Sequence, residues 1–169
     1  MPATTHIDPT LQKELLALYK EIMWLAARPK VTPSMARAWY THVVAERLKR
    51  RIRHFSGKVS LAAASDPSAI LRLEHQSRIQ TKLTALVEAH RQLDKPNPEE
   101  FIRLLLKWEN VHIVTLSENY AAMRHDGDYR KAKIKLLSWR SIPKETRLIL
   151  WARMLRGKVA NAREFSQPA

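Results

Sequence analysis

The side chains whose types and spacing suggest chemistry are cationic, and they fall in two blocks. Residues 28–58 hold Arg28, Lys30, Arg37, Arg47, Lys49, Arg50, Arg51, Arg53 and Lys58 against a single acid, Glu46. Residues 124–163 hold Arg124, Arg130, Lys131, Lys133, Lys135, Arg140, Lys144, Arg147, Arg153, Arg156, Lys158 and Arg163 against Asp126, Asp128 and Glu145. Phosphate backbones reward such clusters, because each neutralised phosphate releases condensed counterions. Arginine adds a planar fork that grips a phosphate with two hydrogen bonds. The bland alternative for any one charge run is a solvated helical face. Two blocks with this excess favour a polyanion instead. The residues expected to contact it are Arg47, Lys49, Arg50, Arg53 and Lys58 from the first block, and Arg130, Lys131, Lys133, Lys135 and Arg140 from the second.

Aromatic residues lie within both blocks and offer faces on which bases stack. Tyr40, Phe55 and Trp151 share faces with apolar neighbours and are expected in the core, which leaves Trp139 and Tyr129 as the stacking candidates. Histidine gives little. His42 and Glu46 stand four apart, and HDGD at His125–Asp128 groups an imidazole with two carboxylates. Neither completes a ligand set, so no metal is assigned. The run HIVTLSEN from His112 resembles the histidine-led stretch of some small nucleases, without the neighbouring histidines of such a site. Arg47 and His54 have a loose spacing found in some helical ribonucleases, a pattern that so arginine-rich a chain produces readily. Gly57, Gly127 and Gly157 are the only glycines and stand far apart, which argues against a glycine-rich phosphate loop and a nucleotide cofactor. There are no cysteines, so disulfides and thiolate chemistry are absent.

The whole chain of 169 residues carries a formal charge of +14 and a sequence pI of about 10.4. That excess speaks to partners and non-specific binding. A hydrophobic share of 45% is enough for a core. No secretion signal is legible in MPATTHIDPTL, and no apolar run approaches a membrane span, so a soluble cytoplasmic protein without membrane contact is expected.

Positioning these side chains falls to helices. Asp8-Pro9, Thr32-Pro33, Asp66-Pro67 and Asn97-Pro98 each pair a capping side chain with a proline suited to a first helical turn. Leu11, Leu15, Leu18 and Ile22 predict a helix from Pro9 to Ala27. Tyr40, Val44, Leu48, Ile52 and Phe55 predict one from Pro33 that Gly57 closes. In the latter, Arg50 and Arg53 fall on the face opposite Leu48 and Ile52. A third helix is expected over 67–93 and a fourth from Pro98, with a last one over PKETRLILWARMLRG. Leu148 and Leu155 are expected inside. VHIVTL reads as strand or helix, and the strict alternation of KAKIKL favours a strand.

The expected fold is therefore mainly α: a single basic helical domain over 1–165 with four to five main helices. It leaves room for two short strands within 111–137, a flexible connection at 56–66 and a frayed tail at 166–169. The leading functional reading is a non-catalytic nucleic-acid-binding protein, a small subunit or accessory factor of a nucleoprotein complex holding DNA or RNA by its phosphates. The competing reading is an inhibitor or adaptor whose basic face docks on an acidic protein. A metal-dependent nuclease is the third.

Overall fold

The computed structural model describes residues 7–166. The tail expected to fray beyond Ser166 lies outside them. The elements in chain order are α1 (Pro9–Ala26), α2 (Pro33–Ala38), α3 (Ala45–Ile52), β1 (His54–Ser60), α4 (Leu61–Ser65), β2 (Leu71–His75), α5 (Ile79–Arg91), α6 (Pro98–Trp108), β3 (Asn110–Thr115), α7 (Leu116–Arg124), β4 (Leu136–Ser138) and α8 (Lys144–Leu150). Contacts divide the chain into two compact units, one of residues 1–46 and 80–105, the other of 47–79 and 106–169.

The first unit is helical. Asp8 caps α1, its carboxylate accepting from the amides of Thr10 and Leu11 at 3.0 and 2.9 Å. Thr32 caps α2 through Met35 N–H, and Asn97 accepts from Glu100 N–H ahead of α6. Leu11, Leu15, Leu18 and Ile22 bury the stripe of α1, and Leu83, Leu86 and Val87 that of α5. Tyr19, His90 and Phe101 pack as an aromatic trio with ring centroids 5.1–5.7 Å apart. Between α2 and α3 the helix widens into a π turn over Trp39–Val44, Ala45 N–H reaching Tyr40 O. The stripe Tyr40, Val44, Leu48, Ile52 repeats every four residues and so drifts around a 3.6-residue helix. A wider turn absorbs part of that drift. Tyr40, Leu48 and Ile52 are buried, whereas Val44 is half-buried.

The second unit is built on a four-stranded mixed sheet in the order β2-β3-β1-β4. β1 runs parallel to β3, and the other two pairings are antiparallel. The protein is thus α/β, and the expectation of a mainly α domain with at most two short strands within 111–137 is overturned, since β1 and β2 lie outside that range. Three local readings account for the error. Asp66 does not open a helix; its carboxylate accepts from Ser68 N–H at 3.1 Å in a side-chain turn, the other common use of aspartate. β2 follows, with Leu71 buried and Arg72 exposed on alternate sides. Phe55 is buried as expected, but as a strand residue, because the helix stops at Ile52. The supposed flexible connection at 56–66 is β1 and α4, with Val59, Ser60 and Ala63 buried.

VHIVTL resolves as the buried strand β3, while KAKIKL is mostly turn, with Lys133 at φ 58 and only Leu136 entering β4. The Thr115 hydroxyl caps α7 in a capping box with Glu118. On one face of the sheet Phe55, Val59, Val111 and Ile113 form a core with Trp139, Ile142, Leu150 and Leu155. Leu148, expected inside, is 47% exposed.

Candidate functional site

All of the predicted contact residues fall in the sheet-bearing unit. That unit holds 21 Lys and Arg against eight Asp and Glu, a net of +13, while the helical unit holds nine against eight, a net of +1. The asymmetry is invisible from the total alone. Pairing of β1 with β4 sets Lys58 directly across from Ser138, so the end of the first basic block adjoins the second. Lys58, Lys135 and Arg140 are exposed along this junction, and Leu61 N–H bonds Lys135 O at 2.8 Å. Arg130, Lys131 and Lys133 are exposed in the turn that precedes β4, with the Lys131 ammonium 4.0 Å from Asp128. On α3, Arg47 and Arg50 are exposed and Lys49 is half-buried.

Two expected contacts have other places. The Arg53 guanidinium bonds the carboxylate of buried Glu109 at 3.0 Å, and His75 meets the same oxygen at 3.1 Å. Arg53 therefore does not reach outward beside Arg50. Trp139 is 5% exposed and packs edge-on against Phe55 at 5.4 Å, which leaves no open ring face for a base. Tyr129 is half-buried, its hydroxyl directed to Glu74 at 3.3 Å. HDGD is a turn: Asp128 accepts from the amides of Arg130 and Lys131, and Asp126 pairs with Arg78.

The other face of the sheet carries a polar cluster that sequence reasoning did not assemble. His112 on β3 is 5% exposed, and its Nδ1 lies 2.6 Å from the hydroxyl of Ser56 on β1. Glu74 on β2 is the direct cross-strand partner of His112. The Tyr129 ring stands edge-on to the imidazole at 5.7 Å. The register of β1 against β3 shifts between Phe55 and Val59, and Gly57 sits at φ 77 within the shift. Such a bulge re-aims side chains, here bringing Ser56 onto the imidazole. Nearby, Glu118 accepts from Ser60 Oγ at 2.5 Å and from Thr115 N–H at 2.9 Å.

Burial drives the protonation states apart. His112 falls to about 4, first through desolvation of the cation and then through the charge of Lys58. Its imidazole is neutral at pH 7. Desolvation raises Glu74 to about 7 against the opposing Tyr129 hydrogen bond, with the Glu118 charge adding to the rise. Tyr129 is pushed up by burial and by Glu74, and stays a phenol. One trace of this cluster exists in the sequence: a lone histidine inside the β-branched run VHIVT. Its partners come from two other strands and a turn.

The helical unit has a largely apolar cavity of about 470 Å³ lined by Leu16, Tyr19, Met23, His90 and Leu93. Tyr19 Oη accepts from Asn97 N–H at 3.1 Å and lies 3.2 Å from His90 Nδ1, so these polar groups are committed to its wall. No group of three or more potential metal-ligating side chains is found among the described residues. No helix among them is long and apolar enough to cross a membrane. No protein-family model, curated protein or solved structure matches the chain.

Proposed function

We propose that the chain binds nucleic acid through the phosphate backbone, using the sheet-bearing unit as the basic surface. The observation that carries this reading is the segregation of charge, +13 on that unit against +1 on the other. A charge distributed for solubility alone has no reason to collect on one unit, whereas a surface that tracks phosphates does. The junction of β1 with β4 supports it by joining two blocks far apart in sequence. Lys58, Lys135 and Arg140 are the proposed central contacts, with Arg130, Lys131 and Lys133 beside them and Arg47, Lys49 and Arg50 on α3. Arg53 and Trp139 are withdrawn from the set, since one is held by Glu109 and the other lies in the core. Contacts of this kind position a partner without reading its bases. Such a surface suits a small accessory factor of a nucleoprotein complex.

The test is a binding titration with unrelated single- and double-stranded sequences across a salt series. Wild-type affinity should vary little with sequence and fall steeply with salt. A folded Lys58→Glu/Lys135→Glu/Arg140→Glu variant should weaken binding to all sequences alike. It should also flatten the plot of log affinity against log salt by up to about one unit per lost contact. Unchanged affinity and slope in that variant would remove the junction from the site. Absence of binding at low salt, with capture of an acidic protein instead, would transfer the surface to a protein partner.

A further inference from the structure

The polar face of the sheet supplies more than charge. Ser56, His112 and Glu74 lie on three adjacent strands, with the imidazole on the middle strand, the hydroxyl to one side and the carboxyl to the other. Strands are about 4.8 Å apart, so the hydroxyl-bearing and carboxyl-bearing strands flank His112 at a separation of about 10 Å. The hydroxyl and the carboxyl therefore stand on opposite sides of the imidazole along the sheet, one placed to serve as nucleophile and the other as acid. We propose that Ser56, His112 and Glu74 form an acid–base site that cleaves a phosphodiester through an intermediate in which the retained nucleotide is esterified to Ser56. The proposal rests on the nucleic-acid reading above, which supplies its substrate class.

In the first step the Ser56 oxygen bonds phosphorus and its proton passes to His112 Nδ1, already 2.6 Å away. The phosphorus–oxygen bond to the leaving nucleoside breaks, and that oxygen takes the electron pair together with the proton of Glu74. In the second step water attacks phosphorus in the serine–nucleotide ester and gives its proton to the Glu74 carboxylate. Ser56 departs and recovers its proton from the His112 imidazolium. The net change is one phosphodiester and one water converted to a phosphomonoester and an alcohol, with every side chain restored.

Three features fit these roles. Ser56 is half-buried and its hydroxyl accepts from Lys58 N–H at 3.2 Å, while the imidazole beside it is buried. The bulge at Gly57 places that hydroxyl on the imidazole, and bulges recur beside active sites for this purpose. Lys58, two residues from Ser56 and exposed, adds positive charge near His112. Burial also leaves the Glu74 carboxyl partly protonated near neutral pH, as an acid for a departing alkoxide requires.

The experiment incubates the full chain with end-labelled single-stranded DNA, single-stranded RNA and duplex DNA, with a chelator present. Products are resolved on denaturing gels, and the protein is searched by peptide mass spectrometry for a nucleotide or oligonucleotide esterified to Ser56. Cleavage that falls by about 100-fold or more in Ser56→Ala, with binding retained, supports the site. Glu74→Gln should lose a comparable factor while still accumulating the Ser56 adduct more slowly. Wild-type protein that binds these probes but yields neither product nor adduct overturns the proposal and leaves the binding reading intact. Cleavage by folded Ser56→Ala at the wild-type rate overturns it as well. Failure of wild-type protein to bind any probe at low salt removes the substrate class, and both readings fall together.

Discussion

Replacing Arg53 by methionine keeps the aliphatic stem and removes the guanidinium from Glu109. The Glu109 side chain is 2% exposed and that of Arg53 is 15%, so solvent cannot take over the lost partner. Breaking such a buried pair from one side typically costs about 3–5 kcal/mol, because the remaining charge is stranded in a poorly polarisable interior. His75, 3.1 Å from the same carboxylate oxygen, retains a contact there and places the expected cost at the lower end. At roughly 2–4 °C per kcal/mol for a chain of this size, about 3 kcal/mol corresponds to a fall in Tm of about 6–12 °C. Arg50→Met, three residues earlier on the exposed face of α3, should stay within about 0.5 kcal/mol of the parent. Urea unfolding of the two variants side by side, followed by circular dichroism, supplies the comparison. The double variant Arg53→Met/Glu109→Leu should recover much of the loss, since it leaves no carboxylate unpaired at that position. If Arg53→Met matched Arg50→Met in stability, the guanidinium would not be committed to Glu109, and its removal from the contact surface would be wrong.

Further expectations concern pH, packing, capping and the bulge. Glu74 is raised to about 7 in the fold, so its contribution is fully present below its unfolded value near 4.5 and is lost as pH rises through 7. His112 is lowered to about 4, so its contribution is present above 6.5 and is lost as pH falls toward 4. The two slopes oppose one another between about 4.5 and 6.5, and Glu74→Gln should expose a stability that rises with pH across that window in urea titrations. Leu155→Ala should cost about 2–5 kcal/mol by opening a cavity, whereas exposed Leu148→Ala should stay within about 0.5 kcal/mol in the same assay. Thr115→Ala removes the cap of α7 and should cost about 0.5–2 kcal/mol in thermal unfolding. Gly57→Ala has room for a methyl group, with Phe165 3.5 Å away, but forces an L-residue to φ 77; a loss of about 1–2 kcal/mol is expected.

Local information was enough wherever one segment carried its own partner. The caps of α1, α2 and α6 are satisfied within three residues of the capping side chain, so Asp8, Thr32 and Asn97 were legible. The buried stripes of α1 and α5 follow from helical spacing, and the cationic character follows from composition alone. Asp66-Pro67 shows the limit of such signals, because a short turn and a helix cap use the same carboxylate. Phe55 shows another: three residues beyond Ile52, it fits a helical stripe and a strand equally well. What stopped the helix is long-range, with His54 N–H bonding Glu109 O and Phe55 held at both its N–H and C=O by the side chain of Asn161.

The sequence by itself determined that this protein is strongly basic, that helices dominate it and which leucines most of those helices bury. Those properties depend on residue type and on spacing within one turn. Tertiary structure decided the rest. It paired β1 with β3 and β4, gathered nearly all the net charge on one unit, took Arg53 to Glu109, and brought Ser56 and Glu74 to either side of His112. Each of these joins residues tens of positions apart, and no periodicity within a segment encodes which distant strand will complete its hydrogen bonds.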